Sequence, residues 1–292
     1  MKTKIYLLTI ITFLCLSCKE KKDTTIQTIT ENALFNQLES LNADAGIAIV
    51  MDSKTGDIKA IANKNLSEKD SFETASLFKV ACMIVALDDN IITLDAEIDT
   101  GNGILEYNGV TIKDHNSERG GYGVITPEQV IMFSSNVGTA KIILKGYEDN
   151  PNKFVEGLHK LGFTSIPKDK PIADYLSLGH GIKIPVIQTL EFYNSIANRT
   201  VNCSPSSLET IRTMLVNTVN DSSGTGNRVK SDEVLIAGKT GILEDAVLFC
   251  GYFPADNPKY TCIVIIDNPK NGYLSSGVMT GSVFKEIAEK IN

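Results

Sequence analysis

Residues 76–87 read Ser-Leu-Phe-Lys-Val-Ala-Cys-Met-Ile-Val-Ala-Leu, apolar around the whole helical wheel except for one serine and one lysine. A helix of this kind cannot lie on a surface, so the chain has to enclose it with other elements. The 292 residues, 42% hydrophobic and 22% charged, are enough for one large domain or two small ones. These proportions exclude a disordered tail, a collagen-like repeat and a disulfide miniprotein. Beyond the N-terminus no run of 18 apolar residues occurs, which excludes a multi-span membrane protein. Lys plus Arg number 28 against 35 Asp plus Glu, a net charge of −7. A fold that lives on phosphate contacts presents a basic face, so nucleic acid is not expected as a partner.

Around that helix the pattern predicts a mixed α/β (α+β) fold. Glu31–Leu41 carries apolar residues at 34, 35, 38 and 41, the stripe of a half-buried helix. Gly46–Met51 and Ile58–Ala62 read as strands around a Gly-bearing turn, Asp52–Asp57. Thr126-Pro127-Glu128 is a helix start, with a hydroxyl cap and proline in the first turn. That helix breaks at Ser134-Ser135-Asn136, and the next is expected from Val137 to Lys145, stopped by Gly146. Val234–Gly241, Val247–Phe253 and Tyr260–Asp267 read as strands, and Val283–Ile291 as a closing amphipathic helix. Strands near both ends with helices between them imply one sheet built from both ends of the chain, plus a helical lobe.

The first residues read as an export signal. Lys2 and Lys4 precede the apolar stretch Ile5–Leu16, followed by Ser17-Cys18. Twelve helical residues rise about 18 Å, short of a hydrocarbon core of about 30 Å. A basic start, a short apolar centre and a small residue describe a secretory signal, and the cysteine makes it look like a lipoprotein signal. Residues 1–17 are then expected to be removed and Cys18 lipidated, anchoring the protein in the cell envelope outside the cytoplasm of a bacterium. Position 15 departs from such signals, carrying Cys where Leu is usual. Residues 18–44 would form a tether, polar over 19–29, and a short helix; residues 45–292 would form the working domain. Of the remaining cysteines, Cys250 and Cys262 flank a hairpin turn and could face each other, a register that sequence leaves open. The histidines and cysteines have no metal-ligand spacing, and Gly224-Thr225-Gly226 lacks the rest of a phosphate loop, so no cofactor is expected.

Three short motifs carry chemistry. Ser76-Leu-Phe-Lys79 puts a hydroxyl at the head of the buried helix and an amine one turn on, on the same face. Serine needs a base to become a nucleophile, and an amine among Leu77, Phe78, Val80 and Ala81 is desolvated toward a usable pKa. The same spacing at Ser165–Lys168 contains Pro167 and precedes no apolar run, so chance explains it. Ser134-Ser135-Asn136 lies between two helices, where side chains can reach a cleft or simply cap the second helix. Lys239-Thr240-Gly241 ends an apolar strand and offers a charge, a hydroxyl and open backbone to a substrate carboxylate. Lys54-Thr55-Gly56 repeats those letters in the early turn and reads as turn chemistry.

In this order, SxxK on a buried helix, SxN at an interhelical break and KTG on a strand resemble the penicillin-recognising serine enzymes. GGYGVITPEQV (120–130), SSNVGTAKI (134–142), SLGHGIKIPVIQTLEFYNSIAN (177–198), GYFPADNPKYTCIVIIDNPKNG (251–272) and VFKEIAEKI (283–291) narrow the resemblance to the transpeptidase domain of class B penicillin-binding proteins. It covers roughly residues 45–291. The resemblance implies a β-lactamase/transpeptidase-like fold, an antiparallel sheet flanked by helices, and an all-α lobe bearing SxN. It implies a D,D-transpeptidase that cross-links cell-wall peptidoglycan, and so supports cell shape, through a serine acyl-enzyme on stem peptides ending in D-Ala-D-Ala. β-Lactam antibiotics would bind the same site, and other wall-synthesis proteins would be possible partners.

By the same resemblance Ser76 would be the nucleophile, Lys79 its base, and Ser134 the proton carrier to the leaving amine. Asn136 would hold Lys79 and the donor amide; Lys239 and Thr240 would meet the substrate carboxylate beside Gly241. Backbone N–H groups of Ser76 and Ile242 would form the oxyanion hole. Several positions depart from the family pattern. Thr74-Ala75 replaces Pro-Gly before the serine, Ile242 replaces Thr after KTG, residues 198–235 are short, and no amino-terminal pedestal domain is expected. A D,D-carboxypeptidase, a serine β-lactamase and a non-catalytic β-lactam sensor or scaffold are the rival readings. Glu148–Asn152 matches an ExxxN loop by letters but follows Asn136 too closely. SxN and the lack of Trp oppose a class D enzyme.

Overall fold

A computed structural model of the chain describes residues 24–168 and 182–292. Helix α1 (Thr24–Ser40) precedes a hairpin of β1 (Ala45–Asp52) and β2 (Ile58–Lys64). Strand β3 (Ser71–Glu73), a 3-10 turn (Ala75–Phe78) and α2 (Lys79–Asp88) follow. Short strands β4 (Ile98–Asp99), β5 (Ile104–Tyr107), β6 (Val110–Lys113) and β7 (Val124–Ile125) lead to α3 (Pro127–Met132), α4 (Asn136–Tyr147) and α5 (Pro151–Lys160). Strand β8 (Lys183–Pro185) enters α6 (Val186–Ala197), and α7 (Pro205–Asn220) returns the chain to β9 (Ala237–Ile242), β10 (Ala246–Phe253) and β11 (Tyr260–Asp267). Helix α8 (Ser276–Ile291) closes the fold.

The main sheet is antiparallel in the order β2-β1-β11-β10-β9, so first and last strands lie side by side, as the sequence implies. Both of its faces are covered. Along β1, Ile47, Ile49 and Met51 enter one core while Ala48 and Val50 enter the other, which is why the strand reads as almost unbroken apolar sequence. On one side α1 and α8 contribute Leu34, Leu38, Phe284 and Ile287. On the other side α2 is wrapped by α4, α5 and α7, and every residue from Lys79 to Ala86 is buried. Each fully buried aliphatic side chain there contributes about 1.5–3 kcal/mol relative to exposure. The helical lobe also carries two-stranded ribbons, β4 with β7 and β5 with β6.

Several expectations are corrected. Residues 24–29 are helical rather than tether: Ile26 is in the core, and the Gln27 amide pairs with both backbone groups of Ile61 on edge strand β2. The buried stripe of α1 accordingly runs through Ile26, Thr30, Leu34 and Leu38, which leaves Phe35 exposed. Gly146 does not stop α4. It lies inside the helix, where a Cβ would come within 2.7 Å of the Ile91 side chain. Strand β9 starts at Ala237, three residues after the expected Val234. Helix α8 begins at Ser276 instead of Val283, its first turns hidden in the sequence by small residues. Gly281, for example, admits Val229 where a Cβ would lie at 2.5 Å. Cys250 and Cys262 are free and cannot pair, because Cys250 stands opposite Ile263 and Cys262 opposite Gly251. That one-residue offset puts them on opposite faces of the sheet. The signal segment 1–17, Cys18 and residues 177–181 of one resembling stretch lie outside the described residues. No helix among the described residues is long and apolar enough to cross a membrane.

Candidate active site

The three motifs converge where α2, the α3–α4 break and β9 meet. Ser76 is half-buried in the 3-10 turn, and Lys79 opens α2 one turn later with 0% of its surface exposed. Two features hold the turn. Ala75 has a left-handed φ of 47°, and the Tyr193 hydroxyl, from α6, donates to the Leu77 carbonyl at 3.1 Å. The described residues give the Ser76 hydroxyl no hydrogen-bond partner, so it and Lys79 share a face without bonding to each other.

The SxN segment turns toward Lys79 because of how two helices end. Helix α3 starts in a capping box, Thr126 with Gln129, and stops at Phe133. Ser134 then adopts φ 57° and Ser135 caps α4, its Oγ accepting from the Gly138 N–H at 2.8 Å. Ser134 is thereby released from capping, and the cap reading belongs to its neighbour. Lys79 Nζ donates to the Ser134 carbonyl at 2.5 Å, to Ser134 Oγ at 3.2 Å and to Asn136 Oδ1 at 2.5 Å. Burial pushes the Lys79 pKa down to about 7, opposed by the charge of Asp114 and by Cys82. An amine at that value accepts a proton at neutral pH.

Lys239 projects from β9 and is also fully buried, its Nζ donating to the Thr240 carbonyl at 3.1 Å. Burial holds its pKa well below the usual lysine range, and the nearby Lys79 charge lowers it further. The Thr240 hydroxyl is buried and bonded to Thr225 Oγ1 at 2.9 Å. Gly241 is buried beside the Ser76 turn, near Ala75 and Leu77, whereas Ile242 is 46% exposed at the strand end. The decoys stay apart: Ser165 is exposed after α5, and Lys54–Gly56 forms the β1–β2 turn, with Gly56 at φ 77°.

Sequence reasoning missed three residues that hold these groups. Thr225 ties β9 to the end of α3, its N–H and Oγ1 reaching the Met132 carbonyl at 3.0 and 3.1 Å. Its one sequence signal was Gly224-Thr225-Gly226, set aside as an incomplete phosphate loop. Asp114 and Tyr193 had no signal, since each acts on residues far along the chain. Among the described residues no cluster of His, Cys, Asp or Glu is arranged to hold a metal ion.

A family profile described as the penicillin binding protein transpeptidase domain matches residues 46–289. The chain belongs to that family. Relatives of this transpeptidase domain include the peptidoglycan D,D-transpeptidase FtsI of Buchnera aphidicola, 25% identical over 92% of the chain and 56% of its own length. Penicillin-binding protein PbpB of Mycolicibacterium smegmatis is 24% identical over 82% of the chain and 49% of its own. The chain thus spans about half the length of the curated relatives it matches. Among solved structures, the apo TP domain of Burkholderia pseudomallei penicillin-binding protein 3 superposes with a TM-score of 0.80 at 25% identity, covering 92% of this chain and 94% of that one. A structure described as a peptidoglycan glycosyltransferase from Burkholderia ambifaria gives 0.79 at 26% identity, covering 92% and 95%.

Proposed function

We propose that the protein is a peptidoglycan D,D-transpeptidase that works through an acyl-enzyme on Ser76. The observation that carries this reading is the fully buried Lys79 amine, held by Ser134 and Asn136 one turn from Ser76. Ser76 Oγ adds to the carbonyl carbon of the penultimate D-Ala of a stem peptide, and its proton passes to neutral Lys79. The oxyanion accepts from the N–H groups of Ser76 and Ile242. As the C–N bond breaks, Ser134 relays that proton to the departing D-Ala amine. An amine from a neighbouring stem then attacks the ester and returns a proton to Ser76 through the same residues. Asn136 orients Lys79 and the donor amide, while Lys239 and Thr240 attract the terminal carboxylate. β-Lactams acylate the same serine.

Labelling the full chain with fluorescent penicillin tests the assignment. Ser76→Ala should abolish the label and Ser165→Ala should not; label surviving on Ser76→Ala sinks it. D-Ala release that ignores an added acceptor amine would make the protein a carboxypeptidase, and fast turnover of penicillin would make it a β-lactamase. The site is proposed to work outside the cytoplasm, lipid-anchored through Cys18. Mass spectrometry of the mature N-terminus decides this, a free N-terminus beyond Cys18 counting against it.

A further inference from the structure

Asp114 follows β6 directly and is buried, yet among the described residues it has no salt bridge. Its carboxylate accepts from Ser135 Oγ at 3.0 Å to each oxygen, from the Asn136 N–H at 2.5 Å and from the Val137 N–H at 3.0 Å. Those N–H groups are orphan donors of the first turn of α4, where an anion is favoured. Capping alone does not account for it, because Ser135 already occupies the cap position. The preceding residue matters as well: Asn136 Nδ2 donates to the Lys113 carbonyl at 2.6 Å. An amide whose NH2 is committed on one side presents its oxygen on the other, and that oxygen meets Lys79.

We propose that Asp114 is a positioning residue for acylation: it locks the Ser134–Asn136 turn in the conformation that serves Lys79 and supplies the anion that balances this amine. The proposal rests on the reading of Ser76 and Lys79 given above. The groups that face Lys79 electrostatically are Asp114 beyond β6, His115 beside it, Lys239 on β9 and Cys82 on α2. Cys82 stays a thiol, pushed up to about 12 by burial. His115 and Lys239 are cationic or neutral. Asp114 is therefore the carboxylate of this set and the larger of the two groups, ahead of Cys82, that favour protonated Lys79 against the burial that disfavours it. Removing its charge lowers the pH at which Lys79 becomes a base.

The experiment is the pH dependence of acylation of the full chain by fluorescent penicillin between pH 5 and 9, for wild type, Asp114→Asn, Asp114→Ser and Asp114→Glu. Both neutral variants keep an oxygen for the α4 N–H groups. Their acid limb is expected to move to lower pH by roughly one unit, and their plateau to fall about tenfold as the turn loosens. Asp114→Glu keeps the charge and should hold the limb in place at a reduced plateau. A lower rate with an unmoved limb in a folded neutral variant overturns the proposal. So does failure of both neutral variants to fold, which would make Asp114 a structural cap only, or an equal shift in Asp114→Glu. Wild-type protein that takes no label on Ser76 would instead defeat the underlying reading, so the two failures are told apart.

Discussion

Ile242→Thr adds one hydroxyl at the rim of the site and changes little else. Ile242 is the last residue of β9, opposite Val247, with 46% of its surface exposed. Full burial of an isoleucine side chain is worth about 1.5–3 kcal/mol. At half exposure, with threonine keeping one methyl and the β-branched shape suited to a strand, the loss stays below about 1 kcal/mol. For a chain of this size that moves the thermal midpoint by no more than about 4 °C. The gain is a hydrogen bond to the penicillin carboxylate, about 1.5–3 kcal/mol, or roughly 10–150-fold in acylation if it forms fully in the transition state. The structure favours the upper part of that range. Thr240 offers the carboxylate a single hydroxyl, already bonded to Thr225, so it cannot also make the bond that position 242 lacks. The assay is the second-order rate of labelling by fluorescent penicillin, with a carboxylate-esterified penicillin as control. Faster labelling by the acid but not the ester is expected. An unchanged rate in a folded variant would refute the reasoning and show that the carboxylate does not sit at position 242.

Two further outcomes follow from the same site. Lys79, with its pKa lowered to about 7, is protonated below that value and cannot take the Ser76 proton. Acylation should therefore fall as pH drops through about 7, and a rate level down to pH 5 would exclude Lys79 as the base. Ala75→Gly relieves a left-handed alanine, worth about 1–2 kcal/mol, against about 0.5–1 kcal/mol of extra chain entropy. The melting midpoint should hold or rise slightly, and a fall of several degrees would show that the turn is not strained.

Much of the site was readable as sequence because its pieces are local. A run of residues apolar on all sides demands a central helix, whatever surrounds it, and Ser76 and Lys79 share a face through helical spacing alone. Thr126 and Pro127 announce the start of α3 because a hydroxyl cap and a first-turn proline act within one turn. The strands of the sheet are marked by composition, since both faces of β1, β10 and β11 are covered. What the sequence could not decide depends on groups that meet across long stretches of chain. Asp114 reaches Ser135 over 21 positions, Thr225 reaches Met132 over 93, and Tyr193 reaches Leu77 over 116. None of these separations leaves a periodic trace. Register decided the cysteines, since a shift of one residue turns a side chain to the other face. Close packing decided Gly146, whose missing Cβ admits Ile91 rather than ending a helix. The basicity of Lys79 belongs to the tertiary structure for the same reason: its neighbours in sequence make it apolar company, but only the enclosing helices remove the water that would keep it charged.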